Sequence, residues 1–330
     1  MQRTLNRSEK QNDILKLFWV FGLLLFLAFG LVAHASAPTA DSILLSAPNL
    51  YGKNFFTILI NSPDPKEAPK NFRVLSSSDG TSLHASASAV LSKGQLEFLI
   101  SKLNSDSVPG ALGETKDIHI IDTSVHAHGF VNNMQVIWLD QNIKFGTEDM
   151  TFLDEEKSLL SALKKTKKLT LYTLPESPEE TDFNLIDVLK RGGQKIQVQA
   201  DDVSTEQQFL KSKKIKYSRI PVSAKDIPNL ENKQIDQLAR IIKKMKKNEW
   251  LHFHNEEGAG NLSQLILLAD VLKNASNTKI EEILARQTGP NSQSKGAAIT
   301  VTPKLEQIYV YAKEQSPEFK TSFAVWVQKQ

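Results

Sequence analysis

The segment HFHNEEGAGN, from His252 to Asn261, has the residue types of a loop that holds an anion. It contains two glycines, follows an apolar run with strand character, and precedes a long apolar run with helical character. A glycine-containing loop that opens a helix turns several backbone N–H groups toward one point, and the helix N-terminus adds positive potential there. Such a loop suits a phosphate group. However, Glu256 and Glu257 are acidic, and the segment has no lysine, no arginine and no good nucleophile.

Histidines in and near this segment suggest a different chemistry, that of a metal site. His252 and His254 are two residues apart in a predicted strand and therefore share one face. His126 and His128 are two further candidates, and imidazole suits zinc and similar ions. The spacing alone leaves open whether these histidines bind a metal or only orient the loop.

The chain has no cysteine among its 330 residues, which excludes thiol chemistry and disulfide bonds. Its N-terminus is basic and is followed by an unbroken apolar stretch, residues 17–33, and then by small residues. This pattern predicts a signal peptide over residues 1–35, cleaved after Ala35. The alternative is an uncleaved membrane anchor formed by residues 17–33. We therefore expect an exported protein, periplasmic or secreted, that meets a membrane only through that stretch.

The net charge argues against a nucleic-acid partner. It is +3 for the whole chain, and loss of residues 1–35 removes four basic and two acidic residues, which leaves +1. Ala37–Pro48 and Asn61–Lys70 are rich in proline and polar residues, and residues 36–68 are interpreted as a linker and the start of an N-terminal segment. Residues 69–330 then form one domain, since no low-complexity spacer divides them.

The rest of the pattern alternates between strand-like and helix-like runs, which predicts an α/β layer fold around a buried sheet. The predicted strands are Ile118–Asp122, Gln135–Leu139, Leu169–Thr173, Lys195–Gln199, Ile215–Val222, Trp250–His254 and Gln307–Tyr311. The predicted helices are Leu96–Leu103, Glu155–Leu163, Phe183–Lys190, Thr205–Lys211, Asn232–Lys246, Leu262–Lys273 and Lys279–Ala285.

Several segments in order resemble the protein-tyrosine-phosphatase-like inositol polyphosphatases, the bacterial phytases of this type. EWLHFHNEEGAGNLSQLILLADVLKNA, Glu249 to Ala275, is similar to the strand, Cys-x5-Arg loop and helix of that family. PKNFR at Pro69–Arg73, IIDTSVHAHGFVNNMQVIW at Ile120–Trp138 and YSRIPVSAKDIP at Tyr217–Pro228 are similar to three further family segments. The resemblance implies a phosphatase-type central mixed sheet flanked by helices, with a small N-terminal β subdomain.

The family mechanism uses a thiolate that attacks phosphorus, an arginine that binds the phosphoryl oxygens and an aspartic acid that protonates the leaving group. On this resemblance, Asn255 stands at the position of the nucleophile, Asn261 at that of the arginine and Ala224 at that of the acid. Lys225 stands where a histidine is usual. The resemblance therefore implies a pseudophosphatase with no cofactor and no metal, which acts by binding.

The same correspondence defines the residues that would contact a ligand. They are the degenerate loop His254, Asn255, Glu256, Glu257, Gly258, Ala259, Gly260 and Asn261, together with Asp122, His128 and Lys225. Because the two glutamates repel an anion and the sequence shows no neighbouring cation, we expect an inositol-phosphate-like ligand to bind weakly, and a protein partner is the other possibility.

Two alternatives remain at this point. One is residual phosphatase activity through non-standard groups. The other is a metal site built on His126, His128, His252 and His254, although three of these are histidine in the family as well. Ser124 and His126 replace a family arginine and glutamate.

Overall fold

The computed structural model describes residues 43–47, 55–59, 68–75, 83–104, 117–125, 127–139, 151–165, 168–173, 195–222, 230–246, 249–255, 258, 261–288 and 301–330. All of them belong to one compact unit, Asp41–Gln330. The predicted signal peptide or anchor and the predicted helix Phe183–Lys190 lie outside the described residues. Among the helices that are described, none has the length and apolar character needed to cross a membrane.

The strands are β1 (Ile43–Ala47), β2 (Phe55–Leu59), β3 (Arg73–Leu75), β4 (Ala85–Ala89), β5 (Asp117–Asp122), β6 (His128–Val131), β7 (Met134–Leu139), β8 (Lys168–Thr173), β9 (Lys195–Gln199), β10 (Val203–Ser204), β11 (Lys216–Arg219) and β12 (Glu249–Asn255). The helices are α1 (Lys93–Asn104), α2 (Thr151–Lys165), α3 (Glu206–Ser212), α4 (Asn232–Lys244), α5 (Asn261–Asn274), α6 (Ile280–Thr288), α7 (Pro303–Gln315) and α8 (Phe323–Val327).

A five-stranded mixed sheet carries the segment that was singled out in the sequence. Its strand order is β11-β5-β12-β4-β3, and β11, β5, β12 and β4 run parallel while β3 is antiparallel. Parallel strands end on one edge, so Asp122, Arg219 and Asn255 come together at the carboxyl ends of β5, β11 and β12. Side chains of polar and catalytic type commonly gather at this edge.

Apolar helices cover both faces of this sheet. On one face Leu251 and Phe253 of β12 and Ile121 of β5 pack in a core with α4, α5, α7 and α8. On the other face Trp250 and Ile120 pack with α1 and α3. Side chains alternate between the two faces because a strand has a two-residue period. The packing of helices on both faces confirms the predicted central mixed sheet flanked by helices.

A second sheet of seven strands has the order β10-β6-β7-β2-β1-β8-β9 and is almost wholly antiparallel. It takes strands from residues 43–59 and also from residues 128–204. The resemblance implied a small N-terminal β subdomain, but this sheet is neither small nor only N-terminal. Within residues 36–68, interpreted as a linker and the start of an N-terminal segment, no strand was predicted, whereas β1 and β2 lie there and pair with each other over five residues. Short strands separated by proline-rich sequence gave too little pattern to predict them.

One predicted strand is wrong. Gln307–Tyr311 lies inside helix α7, which Thr302 caps by accepting a hydrogen bond from the N–H of Leu305 at 3.2 Å, with Pro303 in the first turn. The buried side chains of α7 recur at Leu305, Ile308, Tyr311 and Ala312, a helical period that the local β-branched and aromatic composition concealed. Predicted strand Ile215–Val222 is shorter than expected, and ends at Arg219.

Candidate functional site

The loop between β12 and α5 passes directly against the end of β4. Gly258 has a φ of +70°, a left-handed conformation that favours glycine. A Cβ at this position would lie 2.1 Å from the backbone nitrogen of Ala89 and 2.5 Å from the carbonyl carbon of Ser88. Both features require glycine here, which holds the loop close to the sheet.

Asn255 satisfies one of the loop's own donors. Its side chain is buried, and its Oδ1 accepts a hydrogen bond of 2.5 Å from the backbone N–H of Gly258. In an anion-binding loop such an N–H faces the ligand. The carboxamide oxygen of Asn255 therefore takes the role of an internal acceptor.

Arg73, the first residue of β3, donates hydrogen bonds to the loop and to the helix that follows it. Its Nη1 donates to the carbonyl oxygen of Gly258 at 2.5 Å, and its Nη2 donates to Ser263 Oγ at 3.0 Å in the first turn of α5. Burial lowers the pKa of Arg73 to about 10, which leaves it charged at neutral pH. The expectation that no cation lies near the loop is therefore wrong, because Arg73 is too distant in sequence to be recognised as a neighbour.

Behind the loop, two histidines and two carboxylates form a buried cluster. His254 Nε2 lies 3.0 Å from Glu206 Oε1, and Glu206 Oε2 lies 3.0 Å from His128 Nε2. His128 Nε2 is also 3.3 Å from Asp122 Oδ2. All four side chains are 1% exposed or less, so each charge depends on the others for stabilisation.

The electrostatics of this cluster favour ion pairs. Burial by itself lowers the pKa of His128 and of His254, but Asp122 raises the pKa of the first well above its usual value and Glu206 raises that of the second. Burial by itself raises the pKa of Glu206, but the charge of His254 and the hydrogen bond of His128 hold it at about 2. Each carboxylate thus favours the protonated form of the imidazole beside it, and each imidazole favours the ionised form of its carboxylate.

Arg219 completes the cluster from β11. Its Nε lies 3.1 Å from Asp122 Oδ2 and its Nη1 lies 2.7 Å from Glu156 Oε2. Tyr217 donates from its hydroxyl to Asp122 Oδ2 at 2.7 Å. Although burial by itself raises the pKa of Asp122, the charge of Arg219, followed by that of His128, holds it well below its usual range.

His252 has the opposite environment although it is only two residues from His254. Its Nδ1 lies 2.9 Å from Ser86 Oγ and its Nε2 lies 3.1 Å from Ser88 Oγ. Burial, then the charge of His254, lowers the pKa of His252 well below its usual value, so the ring is neutral. Since serines occupy both ring nitrogens, the structure does not favour the site built on four histidines; His126 lies outside the described residues.

A different donor set for a metal ion does occur here. Asp122, His128 and Glu206 each present one ligand atom, and these atoms lie within 4.8 Å of one another. However, the same atoms already pair with each other, and Asp122 also accepts from Tyr217 and pairs with Arg219. A divalent ion would have to displace the proton of His128 beside a guanidinium, so the arrangement is best described as an ion-pair network.

The structure brings together Asp122, His128, His254, Asn255 and Gly258 at one edge of the sheet. The main chain of Asn261 begins α5, while its side chain lies outside the described part of the structure. The other predicted site residues also lie outside it: Ala224, Lys225, Glu256, Glu257, Ala259 and Gly260.

Sequence reasoning missed three side chains that hold the site: Arg73, Glu206 and Arg219. Arg73 and Arg219 do lie in the quoted segments PKNFR and YSRIP, which was the available signal. Glu206 follows the capping residue Thr205 and resembles an ordinary first-turn glutamate, so nothing in its local pattern marked it.

The model of the PTP-like phytase family, described as inositol hexakisphosphate, matches residues 147–273. The effector protein hopD2 of Pseudomonas syringae pv. tomato (strain ATCC BAA-871 / DC3000) is 24% identical over 184 residues, which cover 54% of this chain and 36% of that effector.

Three solved structures are similar in fold. The tandemly repeated protein tyrosine phosphatase like phytase from Mitsuokella multacida has a TM-score of 0.61 at 22% identity, over 88% of this chain and 48% of that one. The PTP-like myo-inositol phosphatase from the same organism, in complex with myo-inositol-(1,3,4,5)-tetrakisphosphate, has a TM-score of 0.60 at 20% identity, over 82% of this chain and 49% of that one. A PTP-like phytase from Bdellovibrio bacteriovorus has a TM-score of 0.54 at 19% identity, over 81% of this chain and 91% of that one. The chain spans about half the length of the first two.

Proposed function

We propose that this chain is a member of the PTP-like phytase family and, within it, a pseudophosphatase, which keeps the phosphatase scaffold and binds without hydrolysing. The sequence correspondence supports this: Asn255, Asn261 and Ala224 replace a nucleophile, an arginine and a general acid. The chain has no cysteine at any position. A carboxamide is neutral and a very poor nucleophile, so no covalent phospho-enzyme can form at Asn255.

The observation that carries the proposal is the hydrogen bond between Asn255 Oδ1 and the Gly258 N–H. A thiolate at the end of β12 would be held by loop N–H groups and aimed at phosphorus. Here the Asn255 side chain instead accepts a hydrogen bond from the loop. Arg73 donates a hydrogen bond to the carbonyl oxygen of Gly258. The backbone N–H and carbonyl groups of Gly258 are thus satisfied within the protein.

The ligand that fits this site best is an inositol-phosphate-like anion, bound weakly. Three features favour an anion: the buried charge of Arg73, the N-terminus of α5, and a structural neighbour solved in complex with an inositol tetrakisphosphate. The internal hydrogen bond of Asn255 and the two glutamates of the loop oppose it. A protein partner is the other candidate for the same surface.

We further propose that the protein is exported. The support is the basic N-terminus, the apolar stretch of residues 17–33 and the small residues that follow. Its role would then be exercised outside the cytoplasm, as a binding or regulatory module.

The test is phosphate release from inositol hexakisphosphate and from p-nitrophenyl phosphate by the purified protein. We expect no turnover above the uncatalysed rate. Turnover that Asn255→Ala abolishes would overturn the proposal and favour a phosphatase with non-standard groups. Calorimetry with inositol hexakisphosphate tests the second part, and tight binding would contradict weak association.

The converse experiment restores the three positions together, as Asn255→Cys, Asn261→Arg and Ala224→Asp. Recovered phosphatase activity would establish that the correspondence of positions is correct. Asn255→Cys alone is the matched control, and we expect it to stay inactive because removal of a clamping arginine or a general acid costs on the order of 10²–10⁴ in rate.

A further inference from the structure

We propose that Ser218, His119 and Glu249 form a second, independent site, a serine nucleophile with its base and orienting carboxylate, which hydrolyses small anionic esters. The three residues lie on β11, β5 and β12, which are neighbours in the five-stranded sheet. They share the face that packs against α4, whereas Asp122 and His254 lie on the opposite face. The three reacting groups are therefore separate from the ion-pair network, although Arg219, which pairs with Asp122, also lines the cleft.

The distances are those of a hydrogen-bonded nucleophile, base and carboxylate. Ser218 Oγ lies 2.9 Å from His119 Nε2, and His119 Nδ1 lies 3.3 Å from Glu249 Oε1. The strand register brings these three side chains together. His119 pairs with Lys216 on β11 and with Leu251 on β12. Ser218 is two residues after Lys216 and Glu249 is two residues before Leu251, so both lie on the same face as His119. A nucleophile activated by a base, which a third group orients, is recognised by this geometry and not by sequence order.

The charge on Glu249 fixes the roles of the two imidazole nitrogens. Burial by itself raises the pKa of Glu249, but the hydrogen bonds from His119, from the Lys246 backbone and from Lys216 hold it at about 2. The second oxygen, Oε2, accepts from Lys216 Nζ at 2.9 Å and from Lys246 N at 3.0 Å. Oε1 therefore accepts the proton on His119 Nδ1, and Nε2 is left to accept the proton of Ser218 Oγ.

A cleft gives access to this arrangement. It has a volume of about 400 Å³ and lies between the sheet and α4, and its lining includes His119, Lys216, Ser218, Arg240, Lys244 and Glu249. Ser218 itself is half-buried, and Ile220 and Ile241 form an apolar part of the cleft wall. The size suits a small molecule, and the cationic side chains of the wall, Lys216, Arg219, Arg240 and Lys244, select an ester that carries a carboxylate or phosphate.

The reaction proceeds in two balanced halves. Ser218 Oγ attacks the ester carbonyl carbon while its proton passes to His119 Nε2, and the negative charge on the carbonyl oxygen develops beside the cationic wall. The bond from the carbonyl carbon to the alcohol oxygen then breaks, and His119 protonates the departing alcohol. A water molecule attacks the acyl-Ser218, gives its proton to His119, and the carboxylic acid leaves as Ser218 Oγ regains that proton. The sum is an ester and water converted to an acid and an alcohol.

A fluorophosphonate reagent tests for the nucleophile without knowledge of the natural substrate. We expect the folded protein to gain one adduct, which peptide mass spectrometry locates on Ser218, and the urea-unfolded protein to gain none. Ser218→Ala should abolish the adduct, and Ser212→Ala, an exposed serine on α3, is the matched control that should retain it. Absence of an adduct on Ser218 of the folded protein would overturn the proposal.

A second measurement separates catalysis from a purely structural hydrogen-bond chain. The hydrolysis of p-nitrophenyl hemisuccinate and of neutral p-nitrophenyl acetate is compared between the wild type, His119→Asn and Glu249→Gln, each checked by circular dichroism. We expect turnover of the hemisuccinate to exceed that of the acetate, and His119→Asn to lower it by on the order of 10²–10⁴. Should His119→Asn fold normally with an unchanged rate, the proposal fails. If that variant does not fold, Glu249→Gln takes its place with the same criterion. Both outcomes are independent of phosphate release at the loop.

Discussion

His252 and His254 show how far one residue type depends on its neighbours. They stand two positions apart on β12, with ring centroids 6.4 Å apart, and both are fully buried. Serine hydroxyls surround the first, so burial keeps it neutral, whereas Glu206 raises the pKa of the second. The sequence HFH contains none of this difference, because Ser86, Ser88 and Glu206 come from other segments of the chain.

Gly258 supports a prediction at the same scale. Gly258→Ala introduces a Cβ 2.1 Å from the backbone nitrogen of Ala89, at a φ of +70° that alanine disfavours. Because backbone cannot move as a flexible side chain does, we expect a loss of about 2–4 kcal/mol in the free energy of unfolding, measured by urea denaturation.

The matched control for this variant is Gly94→Ala in the first turn of α1, where the helical conformation accepts alanine. We expect that change to be neutral or slightly stabilising. A Gly258→Ala protein as stable as the wild type would show that the loop does not pass against β4 in solution.

At the scale of elements, α8 depends on a carboxylate of α4. Asp236 is buried, and its Oδ1 and Oδ2 accept from the backbone N–H groups of Phe323 and Ala324 at 2.5 Å and 3.4 Å. These are orphan donors at a helix N-terminus, which attract a negative charge. The short C-terminal helix is thereby held against the core, where Phe323 and Trp326 are buried.

Asp236→Ala therefore has a defined cost. We expect it to lower the free energy of unfolding by about 1–3 kcal/mol, because two buried N–H groups lose their acceptor. Glu318→Ala, at an exposed carboxylate in the turn after α7, is the control and should change stability by less than about 0.5 kcal/mol. Equal effects of the two variants in urea denaturation would contradict this account of the helix.

At the scale of the whole molecule, the five-stranded sheet separates two polar systems. One face carries Asp122, His128, Glu206 and His254 beneath the degenerate loop. The other carries His119, Ser218 and Glu249 beneath α4. The sheet itself lies between these systems, because their residues alternate along the same strands, and only Arg219, among the residues described at the two sites, contacts both.

Global stability should depend on pH through the first of these systems. The folded pKa of His128 and His254 is raised, so their contribution is fully present below the unfolded value near 6.5 and is lost as pH rises through the folded values. The pKa of Glu206 is depressed to about 2, so its contribution is present above about 4.5 and is lost as pH falls toward 2. We expect a stability maximum between these limits.

The measurement is the free energy of unfolding from pH 3 to pH 10, for the wild type and for His128→Asn. We expect the variant to be less stable near pH 6 and to lose part of the decline on the alkaline side. An alkaline decline as steep in His128→Asn as in the wild type would show that another group causes it.

The sequence by itself determined the resemblance to the PTP-like phytases, the α/β class and most elements of strong period. The helix after the loop was predictable because its long apolar run reflects its burial in the core. The proposed replacements at Asn255, Asn261 and Ala224 were also inferred from the sequence, since they depend only on alignment with a motif.

Only the tertiary structure decided which side chains act together. Arg73 reaches Gly258 across 185 positions, and Ser218, His119 and Glu249 come from three strands whose order no local pattern encodes. Gln307–Tyr311 lies in a helix because the residues of α7 that are buried in the core recur at a helical period. The composition of the segment itself favours a strand. Periodicity records which face of an element is buried; it does not record what that face will contact.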